Sequence, residues 1–135
     1  MAFVVGIVLS LGVAMFARVV GFDRDRAFYP TVLIVIASYY VLFAVMGGST
    51  HALVSESIVM TAFLVAAVTG FKSSRWIVAV ALVAHGVLDA FHGAVIANPG
   101  VPAWWPAFCL AYDVGAAGGM ALFSKLAKTE GSRVM

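Results

Sequence analysis

Apolar residues dominate five long stretches of the chain, and polar or turn-forming residues separate each stretch from the next. The apolar stretches cover about 2–20, 29–47, 52–70, 76–97 and 106–124. Each approaches the roughly 20 residues that an α-helix needs to cross the hydrocarbon core of a bilayer. The pattern predicts an all-α integral membrane protein in which five transmembrane helices form one domain over residues 1–135.

The connections between these stretches are short and contain charged residues, glycine, proline or serine, as at 22–26, 47–51, 71–75 and 98–102. Short connections favour antiparallel packing of consecutive helices. The third, fourth and fifth stretches carry most of the polar side chains that must avoid lipid. We therefore expect these three helices to pack together.

Positive charge predicts the orientation of the helices. Lysine and arginine accumulate in the short cytoplasmic connections of membrane proteins. Here they flank the first and third connections and occupy the C-terminal tail, at Arg18, Arg24, Arg26, Lys72, Arg75, Lys125, Lys128 and Arg133. This distribution predicts a multi-pass protein of the cell membrane with an external N-terminus and a cytoplasmic C-terminus.

Composition supports the membrane assignment and narrows the function. Hydrophobic residues make up 64% of the chain and charged residues 10%, and the mean hydropathy is +1.08. The net charge of +2 is explained by membrane orientation and gives no indication of nucleic-acid binding. Cys109 is the only cysteine, which excludes an intrachain disulfide.

The fourth stretch contains three ionisable residues on one helix face. Residues three or four positions apart share a face, so Asp89 is expected to lie between His85 and His92. Ionisable groups are costly inside a bilayer and are usually buried in a bundle, paired or exposed to a water-filled cavity. The stripe therefore predicts a functional site.

Neighbouring helices bring further carboxylates to the depth of this stripe. At about 1.5 Å of rise per residue, Glu56 and Asp113 lie about one and two turns inside the outer ends of their helices. Mixed carboxylate and imidazole ligands suit zinc, iron or manganese. We predict a divalent metal site formed by Asp89, His92, Asp113 and Glu56, with His85 as a further ligand or a supporting residue.

A metal site at this depth suggests an enzyme that acts on membrane lipid. Metal-activated water would attack a lipid-borne bond, with a carboxylate, Asp89 or Glu56, as the general base.

The same residues also fit other functions. Carboxylates and histidines form proton relays in pumps and transporters, so a proton- or cation-coupled transporter or channel subunit is one alternative. A structural subunit of a larger membrane complex is another. Because five short helices enclose little volume, the sequence also suggests a homo-oligomer. Gly115 and Gly119 form a small-residue pair typical of close helix packing, within one chain or between chains. Tyr39 and Tyr40 are interpreted as packing residues.

Overall fold

The computed structural model describes residues 1–134, and over this range it contains five long α-helices. All five are long and apolar enough to span a membrane, which confirms that part of the prediction. Their bounds are α1 Ala2–Val20, α2 Phe28–Met46, α3 Thr50–Lys72, α4 Arg75–Val95 and α5 Trp105–Val134. A short 3-10 turn at Phe22–Arg24 lies between α1 and α2.

Serine side chains begin two of the helices. The Ser49 side chain accepts a hydrogen bond from the backbone N–H of Ala52 at the start of α3. Ser74 accepts one from the backbone N–H of Trp76 at the start of α4. Both satisfy amide groups that lack an acceptor within the first turn of a helix. These caps fix where α3 and α4 enter the bundle.

The helices pack around the bundle in the order α2, α3, α4, α5, α1, and α2 also contacts α4. α4 therefore lies between α3 and α5 and contacts both, whereas α3 and α5 have little or no backbone contact with each other. The third, fourth and fifth helices thus pack together as expected, with α4 in the middle. α1 and α2, at the two ends of this order, leave a gap between them.

The α1–α5 contact depends on two glycines of α5, Gly115 and Gly119. A Cβ atom added at Gly115 would collide with the Ser10 side chain, and one at Gly119 would lie 2.9 Å from the Ala14 Cβ. Small residues allow helix backbones to approach closely in membranes. The Gly115 and Gly119 pair therefore packs within the chain, which answers a question that the sequence left open.

The apolar core lies between α2, α4 and α5, around residues such as Leu33, Leu82 and Met120. Many large apolar side chains on the outer faces of the helices are exposed, as expected for a bundle surrounded by lipid. The buried ionisable residues lie between the helices rather than on these outer faces.

Candidate metal centre

All five of the site residues predicted from the sequence are buried in the bundle. His85, Asp89 and His92 on α4, Glu56 on α3 and Asp113 on α5 each expose at most 2% of their surface. The structure arranges them in two groups that have different partners.

The first group, called here the His85 group, contains His85, Asp89, Cys109 and Asp113. His85 Nδ1 lies 2.7 Å from Asp113 Oδ2 and 3.4 Å from Asp89 Oδ2. Cys109 Sγ lies 4.0 Å from Asp113 Oδ2. One nitrogen, one sulfur and two carboxylate oxygens thus converge, all within 4.8 Å of one another.

Helix geometry explains this convergence. His85 and Asp89 are one turn apart on α4, and Cys109 and Asp113 are one turn apart on α5, so each helix presents two ligand-type side chains on one face. Gly86 allows α5 to approach, because a Cβ atom there would lie 3.2 Å from the Leu110 side chain. The two helices can therefore bring all four groups together.

The carboxylates of the His85 group have oxygen atoms without partners. Asp89 Oδ2 and Asp113 Oδ1 are buried and have no hydrogen-bond partner among the described residues. A buried charged oxygen without a partner carries a large desolvation cost. One histidine cannot neutralise two carboxylates, so this pocket favours an additional cation or proton.

Two aromatic residues enclose the His85 group. The Tyr40 hydroxyl, from α2, donates a hydrogen bond to Asp89 Oδ1. The Phe63 ring, from α3, meets the His85 ring edge to face at 4.8 Å between centroids. Tyr40 fixes one oxygen of Asp89, and Phe63 provides an apolar wall beside the His85 ring.

The second group, called here the Glu56 group, contains Glu56, His92 and Asn98. His92 Nε2 lies 2.7 Å from Glu56 Oε1. The Asn98 side-chain amide donates to the same oxygen at 2.9 Å and to the backbone carbonyl of Tyr40 at 3.1 Å. The His92 ring also stacks on the Tyr40 ring, with 4.1 Å between centroids. Glu56 Oε1, His92 Nε2 and the Asn98 amide nitrogen therefore have protein partners, which favours a structural role for this group.

The structure therefore divides the predicted ligand set. His85, Asp89 and Asp113 lie together, whereas Glu56 and His92 lie in the neighbouring group. Asp89 pairs with His85 and Tyr40, and His92 instead faces Glu56.

Sequence reasoning missed three participants. Cys109 precedes Asp113 by one helical turn, a spacing that could have indicated a shared face. The sequence predicts a packing role for Tyr40, whereas in the structure its hydroxyl donates a hydrogen bond to Asp89. Asn98 lies in the connection between α4 and α5, and no sequence pattern identified its role.

Comparison with protein-family models, with curated proteins and with solved structures finds no match to this chain. The geometry of the two groups is therefore the basis for assigning a function.

Proposed function

We propose that this is a multi-pass protein of the cell membrane that binds a divalent metal ion at the His85 group. The observation that carries the proposal is the convergence of imidazole, thiol and two carboxylates in a buried pocket with unpartnered Asp89 and Asp113 oxygens. Buried charges are normally paired or coordinate metals. A metal ion would neutralise the carboxylates and coordinate the oxygens that lack hydrogen-bond partners.

The donor set narrows the choice of metal. Zinc and iron accept nitrogen, oxygen and sulfur donors together, whereas manganese prefers oxygen. Cys109 therefore favours zinc or iron. Ligand atoms at about 2.0–2.3 Å from a zinc ion lie closer to one another than 4.8 Å, so metal binding would draw the four side chains slightly inward.

We further propose that the protein hydrolyses a bond in a membrane lipid. A bound divalent metal supplies an activated water and polarises the bond that the water attacks. In this reaction His85, Cys109 and Asp113 would hold the ion, and Asp89 would act as the general base rather than as a ligand, because Tyr40 holds its Oδ1 and its Oδ2 has no hydrogen-bond partner among the described residues. Glu56 is less suited to this role, since its Oε1 already contacts His92 and Asn98.

Elemental analysis of the purified protein tests metal binding. We expect about one zinc or iron per chain, with loss of the metal in His85→Ala and in Asp113→Asn. His51→Ala is the matched control, because His51 is exposed and lies outside both groups. Absence of stoichiometric metal after incubation with zinc, iron or manganese would overturn the proposal, as would full retention of metal in both variants.

Cobalt substitution tests the Cys109 ligand separately. A thiolate bound to cobalt gives a ligand-to-metal charge-transfer band in the near ultraviolet. We expect this band in the cobalt-loaded protein and its loss in Cys109→Ser. Cobalt bound without the band would remove Cys109 from the ligand set and leave a site of His85 and the two aspartates.

The second candidate function is a proton- or cation-coupled transporter, supported by the chain of contacts from Tyr40 through Asp89 and His85 to Asp113. Buried carboxylates and histidines of this kind can pass protons between them. Purified protein in liposomes would then show pH-dependent flux that Asp89→Asn abolishes. Flux unaffected by this substitution would exclude a relay through Asp89.

A further inference from the structure

The gap between α1 and α2 forms an elongated apolar groove. Its volume is about 660 Å³, within the usual range of small-molecule sites. Apolar and aromatic side chains of α1, α2 and α5 form its walls, among them Leu9, Val13, Val35, Ile36, Phe108 and Tyr112. Since α1 and α2 have little contact, the groove opens sideways toward the surrounding lipid.

One residue connects this groove with the His85 group. Cys109 lines the groove and also belongs to the four-residue group. His85, Asp89 and Asp113 are almost completely buried, so a reactant needs a route to them. Cys109, which is itself 2% exposed, is the point at which the groove meets the group.

We propose that the groove binds the acyl chain of a membrane glycerophospholipid and presents its ester end to the His85 group at Cys109. The assignment of the ester end rests on the proposed function, whereas binding of the chain rests on the groove alone. The apolar walls suit a hydrocarbon chain, and the lateral opening admits a molecule already in the bilayer.

Dimensions and depth support this direction of binding. The groove follows α2 from Phe28 to Tyr39, which corresponds to about 17 Å, more than half of a hydrocarbon core of about 30 Å. Cys109 follows Trp105 by one turn, about 6 Å along α5. Tryptophan prefers the membrane interface, where lipid head groups begin. An ester near Cys109 therefore leaves the rest of its chain pointing along the groove.

Photocrosslinking in vesicles tests the proposal. The protein is reconstituted in phosphatidylethanolamine that contains a small share of the same lipid with a diazirine midway along one acyl chain. The protein is extracted into detergent and washed to remove loosely held lipid, and it is then irradiated. We expect the resulting crosslinks to concentrate on groove residues of α1, α2 and α5. Crosslinks spread evenly over the outer faces of the helices would overturn the proposal, because they would indicate ordinary surrounding lipid.

Groove-filling variants give a second measurement. Val35→Trp and Leu9→Trp fill the groove from opposite walls, and each is expected to lower groove crosslinking roughly tenfold, since overpacking excludes the chain. Val45→Trp is the matched control, because Val45 is an exposed α2 valine outside the groove lining. Unchanged crosslinking in both groove variants would overturn the proposal. If either variant fails to fold, the crosslink map of the unsubstituted protein decides.

Metal content separates the failure of this inference from the failure of the proposed function. His85→Ala should lose metal and keep the groove crosslinks, whereas Val35→Trp should keep metal and lose the crosslinks. Groove crosslinks in a protein that binds no metal would refute the metal site and leave a lipid-binding groove. Stoichiometric metal without groove crosslinks would refute the groove alone.

Discussion

His92→Ala is expected to destabilise the bundle without removing a metal from the His85 group. His92 is 2% exposed and has two main contacts: the 2.7 Å contact of its Nε2 with Glu56 Oε1, and the stacked Tyr40 ring. Loss of the aromatic contact costs about 1 kcal/mol. Polar contacts inside membranes contribute at most about 1.7 kcal/mol, because the unfolded chain in the membrane also finds partners. We therefore expect the free energy of unfolding to fall by about 1.5–2.7 kcal/mol.

Reversible unfolding in mixed detergent micelles, followed by circular dichroism, measures this change. A double-mutant cycle with Glu56→Ala isolates the polar contact, and we expect a coupling energy of about 0.5–1.7 kcal/mol. A coupling energy near zero would refute the assignment of Glu56 and His92 as an interacting pair. Loss of metal from His92→Ala equal to that from His85→Ala would refute the division into two groups.

Two further predictions concern packing and orientation. Gly115→Ala should lower the free energy of unfolding by about 1–3 kcal/mol, because the added methyl group overpacks the α1–α5 contact. Gly118→Ala, where no heavy atom lies within 4 Å of the added Cβ, should raise it by about 0.5–1 kcal/mol. Equal effects of the two substitutions in the same unfolding assay would contradict the close α1–α5 contact. In a Cys109→Ser background, an impermeant thiol reagent applied to intact cells should label His51→Cys and not Ser73→Cys; the reverse pattern would invert the predicted orientation.

The sequence was sufficient to predict five helices because membrane spans leave a strong signal. Each helix needs a long apolar stretch, and the polar connections between the stretches are short. Buried ionisable residues leave a comparable signal, so His85, Asp89, Asp113, Glu56 and His92 were all identified. Their cost in a membrane makes them conspicuous in any apolar stretch.

The division of these residues could not be predicted, because it depends on how neighbouring helices rotate and pack. Depth along the helix axis placed Glu56 and Asp113 near the same level, but depth does not specify which face each helix presents. In the structure α5 meets α4 at His85 and Gly86, while α3 meets it at His92. Asn98 joins the Glu56 group through the fold of a connection that has no helical periodicity.

The two groups also differ in what they imply about function. Glu56 Oε1 contacts both His92 Nε2 and the Asn98 amide, and such a network can be explained by its contribution to the fold alone. The Asp89 and Asp113 carboxylates are buried beside a single histidine, and each has an oxygen without a hydrogen-bond partner among the described residues, which costs stability compared with an apolar interface. Departures from local stability rules of this kind are expected at functional sites. The contact between α4 and α5 is therefore where a bound ion, or a transferred proton, best explains why this sequence keeps two aspartates in the bundle.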